Sequence, residues 1–151
     1  FKWVASISPY HPDAIDALEK VHGEGTCAIK WLPTSMNIDS ASTKCTKFYQ
    51  KLHDLDMPII SHIGRESAVQ VGNQAFGNPL RMRTTLDAGV RVALAHCASP
   101  GEDEDMDNGS KSVKSFELFS RLMNNPAYEK LVLGETSEIT LTPILGRLSH
   151  Y

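Results

Sequence analysis

Four short runs, TCAIKWL, MPIISHI, VRVALAH and KLVLGE, constrain this chain more than any other feature of it. Each is mostly apolar and is bounded by Gly, Pro or a polar cluster, while the stretches between them carry apolar residues three and four apart. Runs that are apolar almost throughout are those of strands buried in a parallel sheet. The helical stretches have the length of the crossovers that parallel strands need.

With residues 2–8 as a first strand there are five β/α steps and no convincing hairpin turn. An α/β architecture with right-handed crossovers is expected. The strands are predicted at 2–8, 26–32, 58–62, 90–96 and 130–133. A first helix is predicted from Pro12 to the glycines Gly23 and Gly25. A second, capped by Ser40, has the apolar face Ala41, Cys45, Phe48, Tyr49, Leu52 and Leu55. A third opens at Asn78-Pro79 and closes at Gly89, and a fourth runs over 112–125. The stretch SPGEDEDMDNGS between the fourth strand and that helix reads as a solvated acidic loop.

Two folds accommodate this pattern in a single α/β domain spanning 1–151. An open doubly wound parallel sheet of five strands is complete at 151 residues, whereas a (β/α)8 TIM barrel needs about 250 and is here only part-built. Length favours the open sheet. The residues that close the strands favour the partial TIM barrel of five βα units, because Lys30, His62, His96 and Glu135 recur at intervals of roughly one β/α unit. In parallel strands such positions converge on the carboxyl rim, where active sites of these folds lie.

Imidazole and carboxylate at one rim suit a divalent ion, zinc first and manganese or iron as alternatives. Lys30, His62 and His96 are the candidate ligands. Against this, a strand-end histidine commonly serves as a hydrogen-bonded rim residue, and Lys30 can snorkel its ammonium to water while its methylenes pack. Glu135 and Glu66 are candidate catalytic carboxylates beside His96, although each also fits a loop or a helix cap.

Other motifs lead away from catalysis. His96-Cys97 suggests a thiol and its base, but neighbours on a strand point to opposite faces. Asp103, Asp105 and Asp107 imitate a calcium loop, yet Gly109 falls one place late and Lys114 stands where the bidentate glutamate belongs. No dinucleotide or nucleotide fingerprint follows a strand. Cys27, Cys45 and Cys97 form no C-x-x-C pair and read as reduced thiols. The net charge of −3 is spread without a basic stripe, which argues against nucleic acid. No apolar run is long enough to span a bilayer and the first residues lack a signal-peptide pattern, so a cytoplasmic protein is expected. The start at Phe1 and the final GRLSHY both read as cut ends.

The phrases IKWLPTSMNID, MPIISHIGRES, GNPLRMRTTLDAGVRVALAHCAS and GETSEIT, in this order and one β/α unit apart, resemble the metal-dependent hydrolases of the amidohydrolase superfamily, in particular the amidohydrolase-2 group. The likeness runs to about Thr140. It implies barrel strands three to seven, with His62 and His96 matching the histidines after strands five and six. Lys30 then falls on strand four, where some members carry a carboxylated lysine bridging two metals. The sequence departs from the pattern at Ser8, where relatives often read S-I-H-P-Y, and at Glu135, where they often have aspartate. The H-x-H pair of strand one and the aspartate of strand eight have no counterpart.

The resemblance implies a metal-activated water attacking a small-molecule amide, ester or lactone, with His62 a ligand and His96 a ligand or a holder of the substrate carbonyl. Non-oxidative decarboxylation of aromatic acids is the alternative within that resemblance, and a non-catalytic α/β fragment the alternative outside it. Five barrel strands would leave an inner face uncovered, so self-association, including a homo-oligomer, is expected.

Overall fold

The computed structural model describes residues 2–98, 101–109 and 111–136. The final GRLSHY and most of the GETSEIT segment lie outside them. Five strands form one parallel sheet: β1 (Trp3–Ala5), β2 (Thr26–Trp31), β3 (Ile59–His62), β4 (Val92–Ala95) and β7 (Val132–Gly134). They lie side by side in chain order, β1-β2-β3-β4-β7. The parallel α/β architecture read from the sequence is therefore present. Among the described residues the sheet is open and does not close into a barrel.

Three residue rows register across the strands. Ile29, Ile59, Val92 and Val132 form one, and Trp31, Ser61, Leu94 and Gly134 another. Their side chains share a face, because residues two apart on a strand do, and all but Gly134 are at most 2% exposed. Against this face pack α1 (Ala14–Gly23) through Ala14 and Leu18, and α3 (Thr46–Asp54) through Phe48, Tyr49 and Leu52. The Phe48 ring stacks on Trp31 with centroids 5.5 Å apart. Toward β4 and β7 the same face is covered by Leu86 of α4 (Arg83–Asp87) and by Leu118, Phe119 and Leu122 of α5 (Ser115–Met123). A one-turn helix, α2 (Pro33–Met36), follows β2.

The third row, Lys30, Ile60, Ala93 and Leu133, takes the opposite face. None of these four is fully buried, and Leu133 is 66% exposed. Val4, registered with Ala28 on that face, is 43% exposed.

Several boundaries differ from the sequence reading. Ser40 caps no helix; it is buried, and its carbonyl accepts a hydrogen bond from the Tyr49 hydroxyl at 2.8 Å. Ser42 caps the 3-10 turn that leads into α3 instead. Asn78 does open a turn, accepting from the Leu80 N–H at 2.9 Å.

The largest correction concerns the acidic loop. Its Glu102–Asp105 is a strand, β5, paired antiparallel with β6 (Lys111–Lys114), which takes the predicted start of the fourth helix, so α5 begins only at Ser115. Asp105 is buried and takes a bidentate ion pair from Arg121 at 2.7 and 2.8 Å, while Asp107 takes one from Arg83 at 2.6 and 2.7 Å. These arginines sit on α5 and α4, so the hairpin is strapped to the helical layer. Bidentate arginine pairs have the directional geometry such a strap needs. Among the described residues no helix is long and apolar enough to cross a membrane.

Candidate functional site

His62 is the last residue of β3. It registers with Ala95 and so shares the less covered face with Lys30, two residues along the row pattern. Beyond it the chain turns at Gly64 and brings Glu66 back beneath the ring. Glu66 is buried; its Oε1 accepts the backbone N–H groups of Ala68 at 2.7 Å and Val69 at 3.2 Å. Its Oε2 lies 3.5 Å from His62 Nε2. Burial opposes ionisation of this carboxyl, but the Ala68 N–H, the charge of His62 and the N–H groups of Val69 and Ser67 outweigh it and hold it below the ordinary glutamate range.

His96 follows β4 directly, in a turn whose three residues His96, Cys97 and Ala98 all have positive φ, at 57°, 48° and 56°. Its ring meets that of His62 edge to face, with centroids 5.3 Å apart and planes at 63°. Glu135 stands just past β7, its N–H donating to the Leu94 carbonyl at 2.9 Å. Its Oε2 lies 3.8 Å from His96 Nδ1 and accepts the His96 backbone N–H at 3.4 Å. Lys30 is half-buried on β2. Burial lowers its pKa, against the attraction of Glu135 and Glu66.

All five sequence candidates thus gather at one rim: two histidine–carboxylate pairs, His62 with Glu66 and His96 with Glu135, and a lysine that feels both carboxylates. Cys97 is not among them. It is buried in the helical-side core, its thiol donates to the Glu135 carbonyl at 3.5 Å, and burial followed by the Glu135 charge pushes its pKa up. That is the environment of an inert thiol.

The donor chemistry suits a borderline divalent ion. Separations of 3.5 and 3.8 Å are longer than good hydrogen bonds. Two donors on one tetrahedral ion at about 2.1 Å lie roughly 3.4 Å apart, close to these spacings. The number of donors is the weakness: among the described residues no group of three or more His, Cys, Asp or Glu has the geometry to hold an ion. An ammonium at Lys30 offers no lone pair, so Lys30 is a ligand only once deprotonated or carboxylated.

Two features of this rim have no signal in the sequence. One is the left-handed turn at His96–Ala98, written with no Gly or Asn. The other is Gly64, which packs against that turn from 32 residues away or more. A cleft of about 170 Å3 between α3 and the start of β4, lined in part by His53, Asp56 and Arg91, lies at the opposite, amino-terminal end of the strands. It is smaller than the roughly 300–1,000 Å3 of small-molecule sites and takes no part in this cluster.

Compared with models of known protein families and with curated proteins, the chain matches none.

Proposed function

We propose that the chain is the catalytic arc of a metal-dependent hydrolase of amidohydrolase type, acting on a small-molecule amide, ester or lactone. The observation that carries this reading is the meeting of His62 and His96, 5.3 Å apart at the carboxyl ends of adjacent parallel strands. The winding of the sheet supports it. In a (β/α)8 barrel each strand pairs with the next and the helices lie only outside, whereas a doubly wound sheet reverses its strand order and carries helices on both faces. Among the described residues the order runs straight through and the apolar core lies on one face. On this reading Lys30 and His62 would face the barrel interior.

His62 and His96 are the residues that would hold the ion, which when bound supplies a water of lowered pKa and polarises a carbonyl. Glu66, ionised and fixed by two backbone N–H groups, has its Oε2 3.5 Å from His62 Nε2, where it would stand beside His62 as an oxygen donor to the ion. Glu135 stands beside His96, its Oε2 3.8 Å from Nδ1 and accepting the His96 backbone N–H. Lys30 offsets the negative charge of the two glutamates.

The purified chain, equilibrated with zinc, manganese or ferrous iron, is expected to retain close to one equivalent, and His62→Ala and His96→Ala to lose it. Retention below about a tenth of an equivalent in the parent chain, unchanged by both substitutions, sinks the reading. Turnover of lactones, amides and esters set against aryl carboxylates separates hydrolysis from decarboxylation. The lack of a three-donor group with the geometry to hold an ion among the described residues favours a second reading, a non-catalytic α/β module, and that reading expects retention below about a tenth of an equivalent, unchanged by both substitutions.

A further inference from the structure

We propose that Gly64 and Gly77 are positioning residues for the imidazole pair, acting through the left-handed turn at His96–Ala98; the proposal rests on reading His62 and His96 as one site. Leu94 faces the helices and Ala95, registered with His62, faces the other way. Continued as a strand, residue 96 would return to the helical side. Three successive positive φ values break the alternation: the His96 ring swings to His62, and Cys97 enters the helical-side core in its place. L residues enter this conformation only against steric resistance, and it persists where the surroundings impose it.

Those surroundings are glycine backbone. A Cβ on Gly64 would stand 2.8 Å from the Ala98 carbonyl oxygen, 3.0 Å from its carbon and 3.1 Å from its Cα. Gly64 itself has φ of 81° and donates its N–H to the Gly77 carbonyl at 2.7 Å. A Cβ on Gly77 would run into the Gly64 carbonyl oxygen and stand 3.0 Å from Thr34 Cγ2. The backbones of residues 77, 64 and 98 therefore stack with no room for a side chain between them. Because Gly64 is two residues past His62, the segment that carries one imidazole is the segment that bears on the turn carrying the other. Separation of the two rings is set by this stack and not by either strand alone.

The test uses the full chain and two readouts: the nuclear Overhauser contact between the ring protons of His62 and His96, and affinity for zinc alone. The parent chain is expected to show the ring contact. Gly64→Ala and Gly77→Ala are expected to lose it and to weaken zinc by about tenfold or more, the scale of lost outer supports. Ala98→Gly guards against variants that fail to fold. Glycine accepts the positive φ without strain, which offsets the lost methyl, so it is expected to melt within about 4 °C of the parent. The glycine backbones that impose the turn are untouched in this variant, so its ring contact and zinc affinity are expected to stay at the parent level. A folded Gly64→Ala or Gly77→Ala chain that keeps both at the parent level overturns the proposal, and so does a folded Ala98→Gly chain that loses them. If the parent chain binds no zinc, the metal reading fails while the ring contact still decides the role of the turn.

Discussion

The two faces of the sheet are built from the same strands and differ in almost every other respect. One carries Ile29, Trp31, Ile59, Val92, Leu94 and Val132, each at most 2% exposed beneath a layer of helices. The other carries Lys30, Ile60, His62, Ala93 and Leu133, none of them fully buried, alongside the small Ala28 and Ala95, each 3% exposed. Because side chains alternate with a period of two, a four-residue strand such as β3 supplies both: Ile59 and Ser61 to the core, Ile60 and His62 to the open side. Stability and chemistry are thereby separated by parity along each strand. Parallel sheets are nearly always covered on both faces, which makes the open side the informative one.

The largest test of that division sets Leu94→Ala against Leu133→Ala. Leu94 is fully buried among helical side chains, and its truncation is expected to cost about 2–5 kcal/mol by urea denaturation. Leu133, 66% exposed on the neighbouring strand, is expected to move stability by no more than about 0.5 kcal/mol. Comparable losses would mean that the second face is covered in solution.

The hairpin adds to the covered side, and acid sharpens its contribution. Arg121 first, then Asn108, hold the Asp105 carboxyl well below the ordinary aspartate range. A depressed carboxyl pKa stabilises the fold above the unfolded value of about 3.9, and that contribution drains away as pH falls through the folded value. Asp103 has the opposite sign: burial raises its pKa, the Ser115 hydroxyl opposing, so protonation in acid relieves a cost. Asp105→Asn is therefore expected to melt lower than the parent chain at pH 7, with the gap closing below about pH 4. A gap independent of pH would leave the Arg121 pair without a role in holding the hairpin down.

How far this arrangement can be read from residues alone follows the same parity. The five parallel strands are legible because TCAIKW and VALA are apolar runs, and α3 because Phe48, Tyr49 and Leu52 share one helical face. The hairpin is not, because EDED and KSVK offer no apolar alternation, and the arginines that bury Asp105 and pair Asp107 come from helices far along the chain. At the site, His62 and Lys30 follow from strand register. The direction of His96 does not, since it depends on a left-handed turn that AHCAS does not announce and on Gly64 and Gly77, whose need for a missing side chain is visible only in three dimensions.

The open face also predicts association. Apolar side chains exposed on a sheet face that the described residues leave without a second layer favour pairing with another copy. Sedimentation of the 151-residue chain is expected to show concentration-dependent self-association, and Val4→Lys with Leu133→Lys to shift it toward monomer. A sharp monomeric boundary at all concentrations, with cooperative melting, would count against an exposed apolar face and against the barrel arc.

The smallest expected effect asks whether Lys30 belongs to the open side by tolerance or by attraction. Burial lowers its pKa and the charges of Glu135 and Glu66 work against that, with burial the stronger. A lysine whose folded pKa lies below its unfolded value of about 10.4 binds its proton less readily in the native state, so it costs stability at neutral pH and the cost fades as the solution is made alkaline. Lys30→Met is then expected to stabilise the chain at pH 7 by less than about 1 kcal/mol, since water screens a half-exposed ammonium. The gain should shrink as pH rises toward 10. If the substitution instead destabilises at pH 7, the two carboxylates hold Lys30 more strongly than burial resists it, and the polar cluster contributes to folding as well as to the proposed chemistry.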